Sequence, residues 1–141
     1  MNILQGLFGK KQTEDKPQEY RDIKWGTVQP VYVQLGSDIT PLRAWGDFSC
    51  AVNNHQQFKD KFGDAQGEDK LSELTSHLRP VLVSGVIDVL GEMSRGKSSL
   101  AELSADLNAV AAAVKARAEP NFNALGLTLL SVSVLNVQTR P

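Results

Sequence analysis

Residues 42–52, which read LRAWGDFSCAV, alternate along the chain with the period of two that a half-buried β-strand requires. One face of this strand would carry Leu42, Ala44, Gly46, Phe48, Cys50 and Val52. The opposite face would carry Arg43, Trp45, Asp47 and Ser49. Because turn-forming residues at positions 36–38 come just before it, we predict that this stretch is the central strand of an antiparallel meander.

Shorter alternations lie on both sides of this strand. The two that precede it carry Ile23, Trp25 and Thr27, and then Val31, Val33 and Leu35. Pro30 separates them, because it has no amide proton to give to a strand ladder. Near the end of the chain, residues 127–137 return to strand-forming residues, with Leu130, Val132 and Val134 expected on one face. The sequence therefore predicts three strands before the helical region and one after it.

Helical periodicity occupies the region between these strands. Asn53 or Asn54 can cap a short helix that carries two phenylalanines and ends at Gly63. From about residue 68 to residue 93, apolar residues recur every three or four positions: Leu71, Leu74, Leu78, Leu82, Val86, Val89 and Met93. Pro80 lies inside this pattern, so we expect either a kink there or the start of a second helix.

A third helix is predicted after a turn at residues 94–97. Ser99 and Glu102 have the spacing of a capping box, and apolar residues follow at Leu100, Leu103, Leu107, Val110, Val114 and Phe122. Gly126 is expected to end this helix. The predicted class is α+β, with a twisted, mostly antiparallel sheet packed by about three helices in the order β-β-β-α-α-α-β.

Length and composition limit the function classes. A chain of 141 residues fits one domain, which we place at residues 20–141 after a polar linker at residues 12–19. Its 15 basic and 16 acidic residues give no excess positive charge for nucleic acid. Cys50 is the single cysteine, so no internal disulfide can form, and a cytoplasmic setting is expected. No secretory signal and no membrane span is expected either.

Residues 1–11 form a possible short amphipathic segment. Ile3, Leu4, Leu7 and Phe8 fall at helical spacing, and Lys10 and Lys11 follow them. This pattern is typical of an interfacial anchor on acidic lipid. An isolated helix of this length is marginal in water, so a frayed tail, or a segment that docks on its own domain, is the alternative.

One stretch matches the pattern of a phosphate-binding P-loop. It reads GEMSRGKS, so Gly91, Gly96, Lys97 and Ser98 are the candidate nucleotide-binding residues. A working P-loop follows a buried strand and needs a second strand that ends in an acid. The residues before Gly91 have helical periodicity instead, and the last strand offers no acid. A chance match in a turn between two helices is the alternative.

The remaining reactive residue types do not form a catalytic pattern. His55 and His77 have no ligand partner at metal spacing, and no nucleophile, base and orienting group occur together, so neither a metal nor a cofactor is expected. Trp25 and Trp45 are candidates for an interface, although strand tryptophans more often belong to the core. We expect a protein that is not an enzyme.

Several short motifs occur in an order that resembles one known family. They are DIKWGTVQP at residues 22–30, LRAWGDF at residues 42–48, a short helix with Phe, a long Leu-Arg helix, and FNALGLTL at residues 122–129. Together they resemble the SPFH (band 7, stomatin/flotillin-like) family, and most closely its bacterial branch labelled virion core protein-like. The likeness covers residues 20–138.

The resemblance implies a function as well as a fold. Members are non-catalytic scaffolds that form homo-oligomers, organise membrane patches and recruit other membrane-associated proteins. They usually carry a preceding β-rich half and a C-terminal extension, so we expect a truncated member, peripheral at the inner face of a membrane. Two alternatives are kept: a small P-loop-type nucleotide-binding regulator, and a soluble interaction module without a membrane role.

Overall fold

A four-stranded antiparallel sheet organises the domain, and β3 is its centre. The computed structural model describes residues 18–63 and 68–139. Its strands are β1 (Glu19–Gly26), β2 (Val31–Leu35), β3 (Asp38–Val52) and β4 (Leu127–Thr139). β4 pairs along one edge of β3, whereas β1 and β2 lie end to end along the other edge. The sheet is therefore three strands wide, as the 15-residue length of β3 allows.

The break between β1 and β2 lies at residues 27–30, where the sequence has Pro30. β2 then turns back into β3 through Gly36, whose φ of 63° belongs to the left-handed region that glycine tolerates. The Gly36 amide donates a hydrogen bond to the Lys97 carbonyl oxygen over 3.2 Å. This bond ties the hairpin to the turn that follows the longest helix.

The helices cover one face of the sheet. They are α1 (His55–Phe62), α2 (Glu68–Met93), α3 (Leu100–Ser104) and α4 (Leu107–Asn123), and a 3-10 turn (Ser94–Gly96) follows α2. Phe48 of β3 meets Phe122 of α4 edge to face, with ring centroids 5.8 Å apart. Both rings are fully buried, and their edge-to-face contact stabilises the packing of α4 on the centre of the sheet.

Side chains cap the helices where the sequence predicts. The Asn54 side chain accepts a hydrogen bond from the Gln57 amide, and Gly63 ends α1 with a φ of 80°. The Ser99 hydroxyl accepts a hydrogen bond from the Glu102 amide at the start of α3. The α+β class, the antiparallel sheet and the predicted order of elements are confirmed, with the third predicted helix formed in two parts.

Three local predictions differ from the structure. The predicted third helix breaks at residues 105–106, where the Asp106 carboxylate contacts the Lys97 amine and does not cap α4. α2 continues through Pro80, so the second helix that was one of the two alternatives does not begin there. Pro80 is exposed, so the carbonyl group that loses its usual amide donor can bind water. Leu71 was expected in the core, but it is 43% exposed.

β4 contains two β-bulges. Its pairing with β3 shifts between Cys50 and Ser49, and again between Gly46 and Trp45, so that one residue of β4 has no partner at each shift. These extra residues are Leu130 and Leu135. The prediction that Leu130 shares the face of Val132 and Val134 is therefore wrong, although those two valines do pair with residues on the core face of β3.

Candidate interaction surfaces

Two Trp-Gly dipeptides face each other across β1 and β3. Trp25 pairs with Gly46, and Gly26 pairs with Trp45, in the antiparallel ladder. Because successive residues of a strand point to opposite faces, the two tryptophans lie on opposite sides of the sheet. Trp25 is 3% exposed and lies in the core, whereas Trp45 is 37% exposed. Both residues were candidates from the sequence alone. The alternation of β3, which places Trp45 on the face opposite Phe48, was the signal that distinguishes the exposed tryptophan from the buried one.

The core tryptophan depends on a close approach of three strands. The Trp25 Nε1 group donates a hydrogen bond to the Ser133 carbonyl oxygen of β4 over 3.3 Å. Its ring reaches across Gly46, where an added Cβ would lie 3.1 Å from Cζ2 of Trp25. Only a glycine leaves room for the indole between β1 and β4.

Trp45 belongs to the face of the sheet that the helices leave uncovered, which we call the open face. Its exposed apolar side chains at paired positions of the described strands are Tyr32, Ile39 and Trp45. Asp47 on the same face accepts a 2.7 Å hydrogen bond from the Ser133 hydroxyl and lies 3.7 Å from the Lys24 amine. Apolar and charged groups thus alternate across the face, a composition suited to protein contact.

Arg43 closes the gap between β1 and β2 on the open face. Its Nη1 donates to the carbonyl oxygens of Thr27 and Val28, at 3.4 and 3.2 Å. Its Nε is buried and finds no hydrogen-bond partner among the described residues. The Arg43 side chain thereby donates to carbonyl oxygens that would pair with backbone amides of β3 if the edge strand were continuous.

A second surface lies where α2 passes the outer edge of β1, and we call it the edge groove. It has two parts, of about 450 and 430 Å³, and Arg79 lines both. The first part runs beside β1 and includes Leu71, and the second includes Ile87 and Val28. Arg79 Nε donates a 2.7 Å hydrogen bond to the Lys24 carbonyl oxygen at this strand edge. Sequence reasoning missed the groove, because it joins segments 55 residues apart.

The P-loop-like residues do not follow a strand. Gly91 lies inside α2, and Gly96 ends the 3-10 turn. The Lys97 amine contacts the Asp106 carboxylate, and the Ser98 hydroxyl donates to the Glu102 carboxylate. The amine and the hydroxyl that would bind phosphate and magnesium are thus each held by an acid of the same chain. Nucleotide binding stays a prediction that this geometry does not favour.

Glu102 is the acid most affected by these contacts. Hydrogen bonds from the Ser98 hydroxyl and from the Ser98 amide, the latter at 2.6 Å, lower the pKa of its carboxyl group. Both bonds stabilise the charged form, which is the physical cause of the shift. The carboxylate is fully exposed, and its hydrogen bonds to Ser98 close the turn at the start of α3.

Cys50 and the two histidines lie in surroundings that do not suggest a reactive site. Burial raises the pKa of the Cys50 thiol to about 12, so the group is neutral at physiological pH. His77 packs edge-on against Phe62, with ring centroids 5.5 Å apart, and His55 is the exposed first residue of α1. Within residues 18–63 and 68–139, no three His, Cys, Asp or Glu residues are placed to hold a metal ion.

The predicted amphipathic segment lies outside the described residues. This applies to all of its candidate contacts: Ile3, Leu4, Leu7, Phe8, Lys10 and Lys11. In the described part of the chain, no helix has both the length and the apolar composition needed to span a bilayer.

Comparison with known proteins agrees with the motif order. A family model described as "SPFH domain-Band 7 family" matches residues 16–140. No curated protein matches the chain. The match includes both Trp-Gly dipeptides, the edge groove and the whole of β4.

Proposed function

The chain belongs to the SPFH domain-Band 7 family, and from this premise we propose that it is a non-catalytic scaffold or adaptor. It self-associates and recruits protein partners at the cytoplasmic face of a membrane. The observation that carries the proposal is the family match over residues 16–140. The bacterial virion core protein-like branch, and the idea of a truncated member, stay predictions.

The open face supports the self-association part of the proposal. Tyr32 and Ile39 lie on adjacent strands beside the β2–β3 turn and are 68% and 66% exposed, and Trp45 lies further along β3. Tryptophan and tyrosine are enriched among the residues that dominate binding energy in protein interfaces. Exposed apolar residues gathered on one face mark an interaction site more often than scattered ones do.

Light scattering tests self-association directly. The full chain should have a mass above that of the 15.4 kDa monomer, and Tyr32→Lys should shift the mass towards the monomer. Asn121→Lys is the matched control, since it places the same charge on an exposed helix position. A monomeric full chain at all concentrations would remove self-association. If neither variant changed the mass, the contact between copies would have to lie outside the open face.

Sedimentation with acidic vesicles tests the membrane part. Ile3, Leu4, Leu7 and Phe8 supply the apolar face that an interfacial anchor needs, and Lys10 and Lys11 supply the attraction to anionic lipid. Leu4→Glu with Leu7→Glu should abolish sedimentation. Gln5→Glu adds a negative charge without removing an apolar side chain and is the control. If the full chain stayed in the supernatant, the membrane part of the proposal would be wrong, and the soluble interaction module would be the remaining hypothesis.

A further inference from the structure

The edge groove lies close to the start of the described chain, and its second part, which includes Val28, Val83 and Ile87, is the more apolar of the two. Its helix side is a stripe of residues on α2 spaced four apart: Leu71, Thr75, Arg79, Val83 and Ile87. Leu71 and Ile87, at the two ends of the stripe, are 43% and 44% exposed. Val28, at the far end, is 81% exposed. Such a stripe is the surface on which a second amphipathic helix packs.

We propose that residues 1–11 of the same chain occupy this groove. The inference goes beyond the proposed function and does not require a membrane. Residues 12–17, which join the segment to Gln18, span up to about 20 Å when extended. Gln18 immediately precedes β1, and the first part of the groove begins only three residues later, at Arg21. The segment can therefore fold back along β1 without rearrangement of the domain.

Length and polarity fit this occupant. As a helix, eleven residues would be about 16 Å long, which is about three turns against the stripe on α2. Ile3, Leu4, Leu7 and Phe8 have the spacing that lets one helical face meet Val83 and Ile87, which lie about 6 Å apart along α2.

The covalent connection favours this segment over a separate partner. A tether of this length gives a local concentration in the millimolar range, so weak apolar contacts suffice for occupancy. A helix of eleven residues is marginal alone in water, and a preformed apolar surface supplies the stabilisation that it lacks. The four apolar side chains of the segment cannot face both the groove and a bilayer, so docking would compete with lipid for the same residues.

Paramagnetic NMR on the full chain tests the proposal. The sole cysteine, Cys50, is fully buried, so a Gln5→Cys substitution can carry a nitroxide label selectively. We expect loss of amide signal at residues 71–88 of α2, at residues 21–26 of β1 and at residues 27 and 28 after it, relative to a diamagnetic label. Residues of β4, on the opposite edge of β3 from the groove, should keep more of their signal. Val83→Lys with Ile87→Lys should restore the groove signals, whereas Ala112→Lys with Ala116→Lys, at exposed positions of α4, should not.

Two results would overturn the inference. The first is full signal in the groove, or a loss of signal that the Val83 and Ile87 variants leave unchanged. The second comes from a mixture of two chains, one carrying only the isotope label and the other carrying only the nitroxide. Loss of groove signal in that mixture would identify a second copy as the occupant. Neither result depends on vesicle sedimentation, so the proposed membrane role succeeds or fails separately.

Discussion

Gly46 and Ser133 lie so close that a Cβ atom added to Gly46 would stand 1.9 Å from the Ser133 carbonyl oxygen. That oxygen belongs to the backbone of β4 and also accepts the Trp25 hydrogen bond, so it cannot move alone. We expect Gly46→Ala to lower the free energy of unfolding by about 3 kcal/mol or more, since the overpacking falls on backbone. Urea unfolding followed by fluorescence measures this loss.

The other Trp-Gly dipeptide offers the control. A Cβ at Gly26 would meet its nearest neighbour, Cβ of Trp45, at 3.7 Å, which is an ordinary contact. Gly26→Ala should therefore change the free energy of unfolding by no more than about 1 kcal/mol. Equal losses in the two variants would show that glycine at position 46 does not act through the contact with Ser133.

Cys50 should react only when the domain opens. Its thiol is fully buried with a pKa of about 12, so the native protein presents almost no thiolate near neutral pH. We expect a disulfide reagent to modify Cys50 at a rate that rises with urea. Rapid modification without urea would contradict this, because it would require an exposed thiolate in the native state.

The same shift gives an alkaline pH dependence. The pKa of the folded-state thiol is raised above the unfolded value of about 8.5, so its contribution to stability is complete below that pH. It is lost as the pH rises from there towards 12. The free energy of unfolding should therefore fall over this range, and less steeply in Cys50→Ala. Equal slopes would mean that the decline comes from other groups, such as Tyr20.

The Glu102 carboxyl group should depend on Ser98. Hydrogen bonds from Ser98 lower the pKa of this group, so any stability it contributes is present above the unfolded value of about 4.3 and is lost as the pH falls below it. Ser98→Ala removes the hydroxyl donor and should raise the pKa of Glu102. An NMR titration of the glutamate side chains measures the change, and an unchanged pKa would assign the shift to backbone bonds alone.

Magnesium nucleotides should leave the melting temperature of the chain unchanged. The amine of Lys97 is held by Asp106, and Gly91 lies within a helix. Lys97→Ala should lower the free energy of unfolding by no more than about 1 kcal/mol, because the partly exposed pair contributes little. Thermal unfolding with and without nucleotide measures both effects. Stabilisation of the original chain that Lys97→Ala abolishes would support the nucleotide-binding regulator instead.

Short-range patterns predicted most of this fold. The alternation of β3 placed Phe48 and Cys50 in the core, and the asparagine and serine caps marked helix starts, because both depend on residues a few positions apart. The break between α3 and α4 was not predictable in this way. Alanine at position 105 favours helix, and no short-range pattern marks the break, beside which Asp106 pairs with Lys97 from the preceding turn.

The surfaces were harder to predict than the elements. Trp45 was known from the sequence, but its exposure depends on which face the helices cover. The edge groove requires the approach of α2 to β1 through Arg79 and Lys24, which no local pattern encodes. The bulges of β4 likewise arise from its register with β3, so the face of Leu130 could not be read from β4 alone.

The two bulges also determine where the chain tolerates a change of length. Leu130 and Leu135 are the residues of β4 without a partner on β3, so removing either one would close its bulge and keep the same residues facing the helices. A deletion elsewhere in the strand would turn every later side chain to the opposite face. Single-residue gaps between relatives of this chain should therefore cluster at these two leucines.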